Sequence, residues 1–265
     1  MDEMILVEQA SKQYGSETVL HDINLNVQSG EFFGIIGPNG SGKSTLLSLL
    51  SGVEQVSSGR IYLDNQEVNS YKRKELAQWV AVLQQDALPP VGFTVREVIE
   101  MGRFPFQNWL GDEEEDPESL IQGIIETLSL ETVTDRPVEV LSGGQRQRVA
   151  LAKVMAQQPN LLLLDEPTTF LDIGYQVQMM DYVRKWQAEC GLTVVAVLHD
   201  LNLASQYCSR LLVLHEGKVA ATGTPQEVLT EELIERVYGT SPIILSHPES
   251  SVPQILLKPG SNAKA

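Results

Sequence analysis

The chain has 265 residues, 42% of them hydrophobic and 20% charged, which is enough to bury a full core in a protein of ordinary globular composition. It carries 19 lysines and arginines against 35 aspartates and glutamates, a net charge of −16. Because binding of DNA or RNA phosphates requires clustered basic side chains, this balance argues against nucleic acid as a partner. The two cysteines, Cys190 and Cys208, have no spacing typical of a zinc site and are predicted to be small core residues rather than a disulfide.

No segment of the sequence predicts a membrane span or a secretory signal. The longest apolar runs, residues 161–164 and 194–198, are far shorter than the roughly 20 residues that a span requires. The first residues lack the basic region followed by an apolar stretch that marks a signal peptide. We therefore expect a cytosolic protein whose membrane role, if it has one, comes through a partner.

The first quarter of the chain predicts strands around a glycine-rich loop. Apolar residues at near-alternate positions predict strands over 4–8 and 18–27, and the apolar run 31–36 predicts a buried strand that leads into the loop. A helical pattern over 44–50 follows the loop and stops before Gly52, a residue type that commonly ends helices. Residues 58–63 and the turn at 64–66 predict another hairpin.

The rest of the chain alternates between helical and strand patterns. Helices are predicted over 94–101 and 119–130, and the acidic segment 111–117 between them is interpreted as a solvated surface loop. Ser142 is predicted to cap a helix that continues to 156. Apolar strands at 161–164 and 193–198 flank a helix over 175–189, and residues 211–221 predict a closing hairpin. This order predicts an α/β fold with a parallel sheet and crossover connections.

The glycine-rich loop fits the phosphate-binding pattern G-x-x-x-x-G-K-[ST]. A strand pattern precedes it and a helix pattern follows, as the binding mechanism demands. Glycines let backbone N–H groups turn towards an anion, and the helix N-terminus adds partial positive charge. Lys43 is predicted to reach the β- and γ-phosphates of ATP and Ser44 to ligate Mg²⁺. The predicted nucleotide contacts are Gly37, Pro38, Asn39, Gly40, Ser41, Gly42, Lys43, Ser44 and Thr45.

Two carboxylates follow the apolar run at 161–164. In a parallel sheet this strand end lies at the edge where the phosphate loop also sits. Asp165 is predicted to hold the metal, and Glu166 to polarise the attacking water. Taken alone, two acids after an apolar strand would indicate only a solvated strand end.

The pentapeptide Leu141-Ser142-Gly143-Gly144-Gln145 has the composition of a second anion cradle. It combines a serine cap with two glycines at a helix start but has no lysine. One complete loop and one partial cradle suggest a dimer in which each half completes the other. An ordinary capped helix would have the same local pattern.

Together these motifs resemble the ATP-binding subunits of ABC transporters over nearly the whole chain. The resemblance implies a P-loop NTPase with a RecA-like parallel sheet core, an N-terminal antiparallel β subdomain and an inserted α-helical subdomain. The implied subdomains of the single domain 1–265 are the core at 1–86 and 156–240, the helical part at 87–155 and a tail at 241–265. The resemblance also implies a head-to-tail dimer in which ATP held by one copy is contacted by Ser142, Gly143, Gly144 and Gln145 of the other copy.

Further residues match the family one by one. The resemblance implies that Tyr14 stacks on adenine and that His199 is the switch histidine that contacts the γ-phosphate. Gln85 matches the glutamine that senses Mg²⁺ and the attacking water, although its neighbour Gln84 leaves a one-residue ambiguity. Asp172 matches the aspartate that couples the two sites of the dimer.

The sequence of residues 93–105 resembles that of ATP-binding subunits from importers of ferric siderophores, haem or cobalamin. This implies a separate membrane permease, an upstream substrate-binding protein and a location at the cytoplasmic face of the membrane. Two alternatives stay open at this point: a soluble ABC ATPase that acts on nucleic acid or ribosomes, and an assembly scaffold such as the iron–sulfur cluster assembly ATPase.

Overall fold

The computed structural model describes residues 3–84, 88, 92–108, 112–113, 116–169 and 171–258. The chain divides into two compact units, one formed by Met1–Ser70 with Thr193–Ala265 and the other by Tyr71–Leu192. In chain order the strands are β1 (Glu3–Tyr14), β2 (Glu17–Gln28), β3 (Phe32–Ile36), β4 (Ser58–Leu63), β5 (Gln66–Glu67), β6 (Val80–Leu83), β7 (Leu161–Asp165), β8 (Thr193–Val197), β9 (Arg210–His215), β10 (Lys218–Gly223), β11 (Ile243–Ser246) and β12 (Pro253–Leu256). The α-helices are α1 (Lys43–Leu50), α2 (Arg73–Trp79), α3 (Val95–Glu100), α4 (Glu118–Thr127), α5 (Gly143–Ala156), α6 (Ile173–Cys190), α7 (Leu201–Tyr207), α8 (Pro225–Val228) and α9 (Glu231–Tyr238).

The first unit contains an antiparallel sheet in the order β2-β1-β4-β5. In β1 the buried side chains of Ile5 and Val7 alternate with less buried neighbours, so one face of the strand lies in the core. The register between β1 and β2 shifts between Val7 and Ala10, where Gln9 has a φ of 49°. This bulge lets a 12-residue strand bend within a small sheet.

The same unit contains the parallel strands that lead to the phosphate loop. β3 pairs in parallel with β8 on one side and with β9 on the other, and β10 pairs antiparallel with β9. Every residue of β3 and of β8 is buried, which explains why both read as continuous apolar runs without alternation. The carboxyl ends of β3, β8 and β9 therefore lie at one edge of the sheet.

The C-terminal segment of the first unit contains elements that the sequence patterns did not predict. Helix α7 follows β8, helices α8 and α9 follow β10, and β11 pairs antiparallel with β12. Ser205 Oγ donates to the backbone oxygen of Pro253 at 2.7 Å, and Asn202 Oδ1 accepts from the backbone nitrogen of Ile255 at 2.7 Å. These two bonds tie the hairpin to α7.

The second unit pairs β6 with β7 in parallel, with Leu83 opposite Leu164. Helices α2 to α6 complete it, and α2 and β6 were both missed from the sequence. The backbone nitrogen of Asn160 donates to the backbone oxygen of Trp79 at 3.0 Å. Trp79 directly precedes β6 and Asn160 directly precedes β7, so this bond connects the starts of the two strands.

The acidic segment is not wholly solvated, contrary to the interpretation of its sequence. Arg103 and Glu113 form an ion pair at 2.8 Å, and their side chains are only 10% and 8% exposed. Arg103 also donates to the backbone oxygen of Ala156 at 2.8 Å and to Gln158 Oε1 at 2.9 Å. A charged partner from the loop is required because an unpaired buried guanidinium would be costly. Asp112, one residue earlier, is exposed as expected.

The prediction that both cysteines are core residues is confirmed for one and wrong for the other. Cys208 is buried as predicted, whereas Cys190 is exposed because it lies in the last, solvent-facing turn of α6, and both are free thiols.

Within the part of the chain that the structure describes, no helix is both long and apolar enough to cross a membrane.

Candidate functional site

The loop between β3 and α1 has the geometry of a phosphate cradle. Gly37 has a φ of 153°, and a Cβ at this position would lie 2.1 Å from the backbone oxygen of Leu214. Gly42 caps α1 with a φ of 99°. Only glycine fits these two positions, and the tight turn that they allow leads into a helix N-terminus, which attracts anions.

The side chain of Lys43, the first residue of α1, packs against this loop. It is 5% exposed, and its Nζ donates to the backbone oxygens of Gly37 at 2.9 Å and Pro38 at 3.0 Å. At both of these bonds the ammonium group contacts a neutral carbonyl oxygen, and a charged phosphate oxygen would be a stronger acceptor.

The Ser41 hydroxyl supports the same assignment. Ser41 is 3% exposed, and its Oγ is one of the few buried side-chain polar atoms without a hydrogen-bond partner among the described residues. Since buried hydroxyls in proteins are normally satisfied, such an atom in a loop of this shape fits a polar ligand. Ser44 is exposed and Thr45 half-buried on the first turn of α1. These features fit a triphosphate with its metal ion.

His199 lies at the same sheet edge as the phosphate loop. β8 runs parallel to β3 with Ile35 opposite Val197, and Leu198 N donates to the backbone oxygen of Ile35 at 3.1 Å. His199 follows directly and is exposed. The structure therefore places His199 at this edge, and its contact with the γ-phosphate stays a prediction.

Tyr14 is also exposed, with 44% of its surface accessible at the end of β1. The Nζ of Lys12 lies 4.9 Å from the centre of its ring, a cation–π contact. An exposed ring at a strand end suits stacking on a planar base, and that role stays a prediction.

Asp165 is the last residue of β7 in the second unit and Glu166 follows it; both are half-buried. Because β6 runs parallel to β7 with Leu83 opposite Leu164, Gln84 and Asp165 lie at neighbouring strand ends. Gln84 is exposed, and Gln85, the predicted metal-sensing residue, lies outside the described residues. The choice between the two glutamines therefore stays a prediction.

Glu166 is held in an unusual backbone conformation. Its φ is 52°, in the left-handed region that residues other than glycine rarely adopt. Thr169 closes the turn: its backbone nitrogen donates to the Glu166 backbone oxygen at 3.2 Å and its hydroxyl to Glu166 Oε2 at 3.4 Å. A strained residue whose side chain is also held by the turn is typical of a functional carboxylate. Sequence reasoning did not find Thr169, because nothing local marks its contact.

The second predicted cradle forms the start of α5. The Ser142 hydroxyl accepts from Gln145 N at 3.3 Å, and Gln145 Oε1 accepts from Ser142 N at 3.0 Å, a reciprocal capping box. The predicted serine cap is confirmed. Further along the helix, Gln147 Nε2 donates to the backbone oxygen of Pro167 at 2.9 Å. This bond, which the sequence did not suggest, links the start of α5 to the turn that carries Glu166.

Asp172 occupies the N-cap position of α6 and is exposed, as is Ile173 after it, with 80% of its surface accessible. The predicted site residues thus fall into two groups. The phosphate loop, Tyr14 and His199 belong to the first unit, whereas residues 142–145, Asp165, Glu166 and Asp172 belong to the second. The described residues contain no group of three or more His, Cys, Asp or Glu side chains that could hold a metal ion.

The two signature glycines differ in the space around them, which gives a stability prediction. A Cβ on Gly143 meets nothing within 4 Å, whereas one on Gly144 would lie 2.9 Å from the ring of Tyr175. We expect Gly143→Ala to match or exceed the wild type in free energy of unfolding, because alanine favours helices, and Gly144→Ala to fall about 1 kcal/mol below Gly143→Ala. Urea denaturation measures both. In a Tyr175→Ala background the difference should shrink; a difference that persisted would mean that the ring contact is not its cause.

Comparison with known proteins agrees with this geometry. The ABC transporter family matches residues 20–169. The chain is 40% identical to the ferric enterobactin transport ATP-binding protein FepC of Escherichia coli, over 94% of this chain and 92% of that protein. It is 43% identical to the hemin import ATP-binding protein HmuV of Rhodococcus jostii, over 91% of this chain and 82% of that protein.

Two further matches concern length and fold. An uncharacterized ABC transporter ATP-binding protein of Bacillus subtilis, YvrA, is 42% identical over 95% of this chain, which spans 57% of that protein's length. A solved dimeric bacterial ABC transporter cassette superimposes with a TM-score of 0.73 at 32% identity, covering 83% of this chain and 98% of that one.

Proposed function

Because the chain belongs to the ABC transporter family, we propose that it hydrolyses ATP to power the import of an iron chelate through a separate membrane permease. The chain is an ABC-type ATPase with the P-loop NTPase fold of that family's cassettes. The observation that carries the proposal is the phosphate loop with Lys43 buried at its centre, since this is a structure built to bind a polyphosphate.

The residues around the loop have different roles in phosphoryl transfer. Lys43 and the loop N–H groups bind and orient the β- and γ-phosphates, and His199 contacts the γ-phosphate. In this proposal Ser44, Asp165 and Gln85 are the residues that would hold Mg²⁺, and a bound metal ion would neutralise charge on the phosphate oxygens.

Glu166 acts as the general base. A water molecule attacks the γ-phosphorus, the bond between that phosphorus and the bridging oxygen of ADP breaks, and the proton of the water passes to the Glu166 carboxylate. The turn closed by Thr169 supports this role, because it restricts the backbone and the carboxylate of Glu166 together.

Two copies of the chain enclose the ATP. Residues 142–145 of each copy contact the nucleotide held by the phosphate loop of the other, and Asp172 couples the two sites. Two exposed apolar side chains beside these residues support a covered surface: Val140 is 65% exposed and Ile173 80% exposed. The dimeric cassette of the same fold supports it as well.

The relatives support the cargo class. Their names refer to ferric enterobactin, hemin, petrobactin and iron(3+)-hydroxamate. The chemical class that these share is iron held in an organic chelator or macrocycle. We therefore assign the chain to an importer of chelated iron, working at the cytoplasmic face of the membrane through a permease and an upstream substrate-binding protein.

Uptake and co-purification test the proposal together. Cells that lack the chain should lose uptake of labelled ferric siderophore or haem, and the wild-type gene should restore it. Glu166→Gln should fail to restore uptake, whereas Glu235→Gln, a matched change at an exposed position, should restore it. Isolation of the tagged chain with a polytopic membrane protein supports import. Isolation with ribosomes or with soluble assembly factors, and normal uptake without the chain, would contradict it.

A further inference from the structure

The turn that carries Glu166 needs support from outside its own residues. Glu166 has a φ of 52°, a conformation that costs free energy for a residue with a side chain and persists only where neighbouring groups enforce it. Pro167 follows it, and a residue before proline has fewer allowed conformations. Thr169 closes the turn, but its two bonds run to Glu166 and therefore do not fix the turn relative to the rest of the unit.

Gln147 on α5 supplies one such support. Its side chain is 9% exposed, and its Nε2 donates to the backbone oxygen of Pro167 at 2.9 Å. Because the proline ring already fixes φ of Pro167, only the ψ torsion separates the held carbonyl from the ring. The ring nitrogen is bonded directly to the carbonyl carbon of Glu166 through a planar peptide unit. The bond of Gln147 therefore ties the Glu166 backbone to α5 with little freedom left between them.

Helix α5 is a firm base for this bond. Its residues Val149, Ala150 and Leu151 are buried, and the capping box at Ser142 fixes its first turn. An apolar side chain would suit the buried position of Gln147, but it would leave the carbonyl oxygen of Pro167 without this donor. The amide at this place in the helix is thus explained by the turn that it holds.

A second glutamine holds the later part of the turn. Gln176 on α6 donates from Nε2 to the backbone oxygen of Thr168 at 3.2 Å and to that of Leu171 at 3.0 Å. These acceptors lie further along the chain from Glu166 than the Pro167 oxygen does. Of the two glutamines, Gln147 therefore acts closest to the predicted general base.

We propose that Gln147 is a positioning residue for ATP hydrolysis, whose amide holds the Pro167 carbonyl and with it the backbone of Glu166. The Glu166 carboxylate then keeps the orientation in which it accepts the proton of the attacking water. The inference rests on the proposed role of Glu166 as general base, and it adds a residue that acts through Glu166 rather than on the nucleotide.

Gln147→Leu removes the amide and keeps a side chain of similar size. The Pro167 carbonyl loses its donor, and the turn can then shift the carboxylate of Glu166 away from the water that it activates. We expect kcat to fall roughly 10- to 100-fold, because small displacements of a catalytic group have large effects on rate. ATP affinity and KM for ATP should change less than about twofold, since the phosphate contacts come from the loop around Lys43.

Gln157→Leu is the matched control. Gln157 is the C-cap of α5, at the opposite end of the helix from the signature residues, and its Nε2 donates to the backbone oxygens of Ala77 and Val80, the latter at 2.8 Å. The substitution removes the same amide from the same helix without touching the Glu166 turn. It should lower the urea midpoint, as Gln147→Leu does, and leave kcat within about twofold of the wild type.

Combination with Glu166→Gln separates positioning from a general disturbance of the structure. Once the carboxylate is replaced, its orientation no longer contributes to the rate. Gln147→Leu should then lower the remaining single-turnover rate by less than about threefold in the Glu166→Gln background. A general disturbance would lower the rate by the same factor in both backgrounds.

Steady-state ATPase assays, calorimetry with ATP and urea denaturation on the full chain decide the question, with single-turnover rates for the Glu166→Gln variants. A lower kcat at normal ATP affinity, absent from Gln157→Leu and largely absent in the Glu166→Gln background, supports the inference. Unchanged kcat, an equal loss in Gln157→Leu, or an equal loss in both backgrounds overturns it and leaves the proposed function intact.

Two further outcomes have a defined meaning. If Gln147→Leu does not fold, Gln147→Met takes its place with the same expected results, because its unbranched side chain also lacks a donor. Hydrolysis by Glu166→Gln at the wild-type rate would overturn the assignment of the base, and this inference would fall with it.

Discussion

Glu166→Gln is expected to lower the ATPase rate by about 10²- to 10⁴-fold while ATP affinity changes little, because the amide cannot accept the proton of the attacking water. The substitution keeps the size of the side chain, and Thr169 can still donate to its carbonyl oxygen. Binding should therefore persist, since the phosphate contacts come from the loop around Lys43 rather than from this residue. Steady-state ATPase assays and calorimetry with ATP measure the two effects separately.

The same variant should reveal the dimer. If ATP joins two copies and hydrolysis lets them separate, Glu166→Gln with ATP and Mg²⁺ should elute as a dimer in size-exclusion chromatography, and with ADP as a monomer. Glu235→Gln, at an exposed position on α9, should behave as the wild type in every assay. Hydrolysis by Glu166→Gln at the wild-type rate would show that another group is the base.

Lys43→Ala is expected to weaken ATP binding by at least about 30-fold, because the ammonium supplies charge-assisted hydrogen bonds to phosphate oxygens in a buried loop. In the structure the Nζ already lies within 3.0 Å of two loop carbonyls, so no large movement is needed to reach a bound phosphate. Calorimetry with ATP measures the loss, and ATPase activity should fall with it.

Two further variants serve as controls for this test. Lys218→Ala removes an exposed lysine from the same unit and should leave ATP affinity unchanged. Lys43→Arg keeps the charge, but its planar guanidinium cannot replace a compact ammonium between the oxygens of Gly37 and Pro38, so it too should bind ATP poorly. Normal binding by Lys43→Ala would refute the assignment of the loop.

The elements with strong periodic patterns were predictable, and those without were not. Continuous burial made β3 and β8 recognisable as apolar runs, and Gly52, with a φ of 69°, lies just after α1 where the sequence placed it. The four residues of β6 were missed because so short a run looks the same in a strand and in a buried turn. Helix α9 was not predicted, although its sequence carries a usable signal, a threonine cap at Thr230 followed by an apolar stripe.

The sequence by itself determined the local structure of the phosphate loop and of the start of α5, because each depends on interactions within a few residues. The turn at Gly37, the start of α1 and the serine cap at Ser142 follow from local backbone preferences that neighbouring residues dictate. The tertiary structure decided which distant groups support them. The bond from the Gly217 backbone nitrogen to the Ser41 backbone oxygen and the burial of Glu113 against Arg103 join residues that no local pattern pairs. Such contacts depend on how whole elements pack, and packing is a property of the folded chain rather than of any segment.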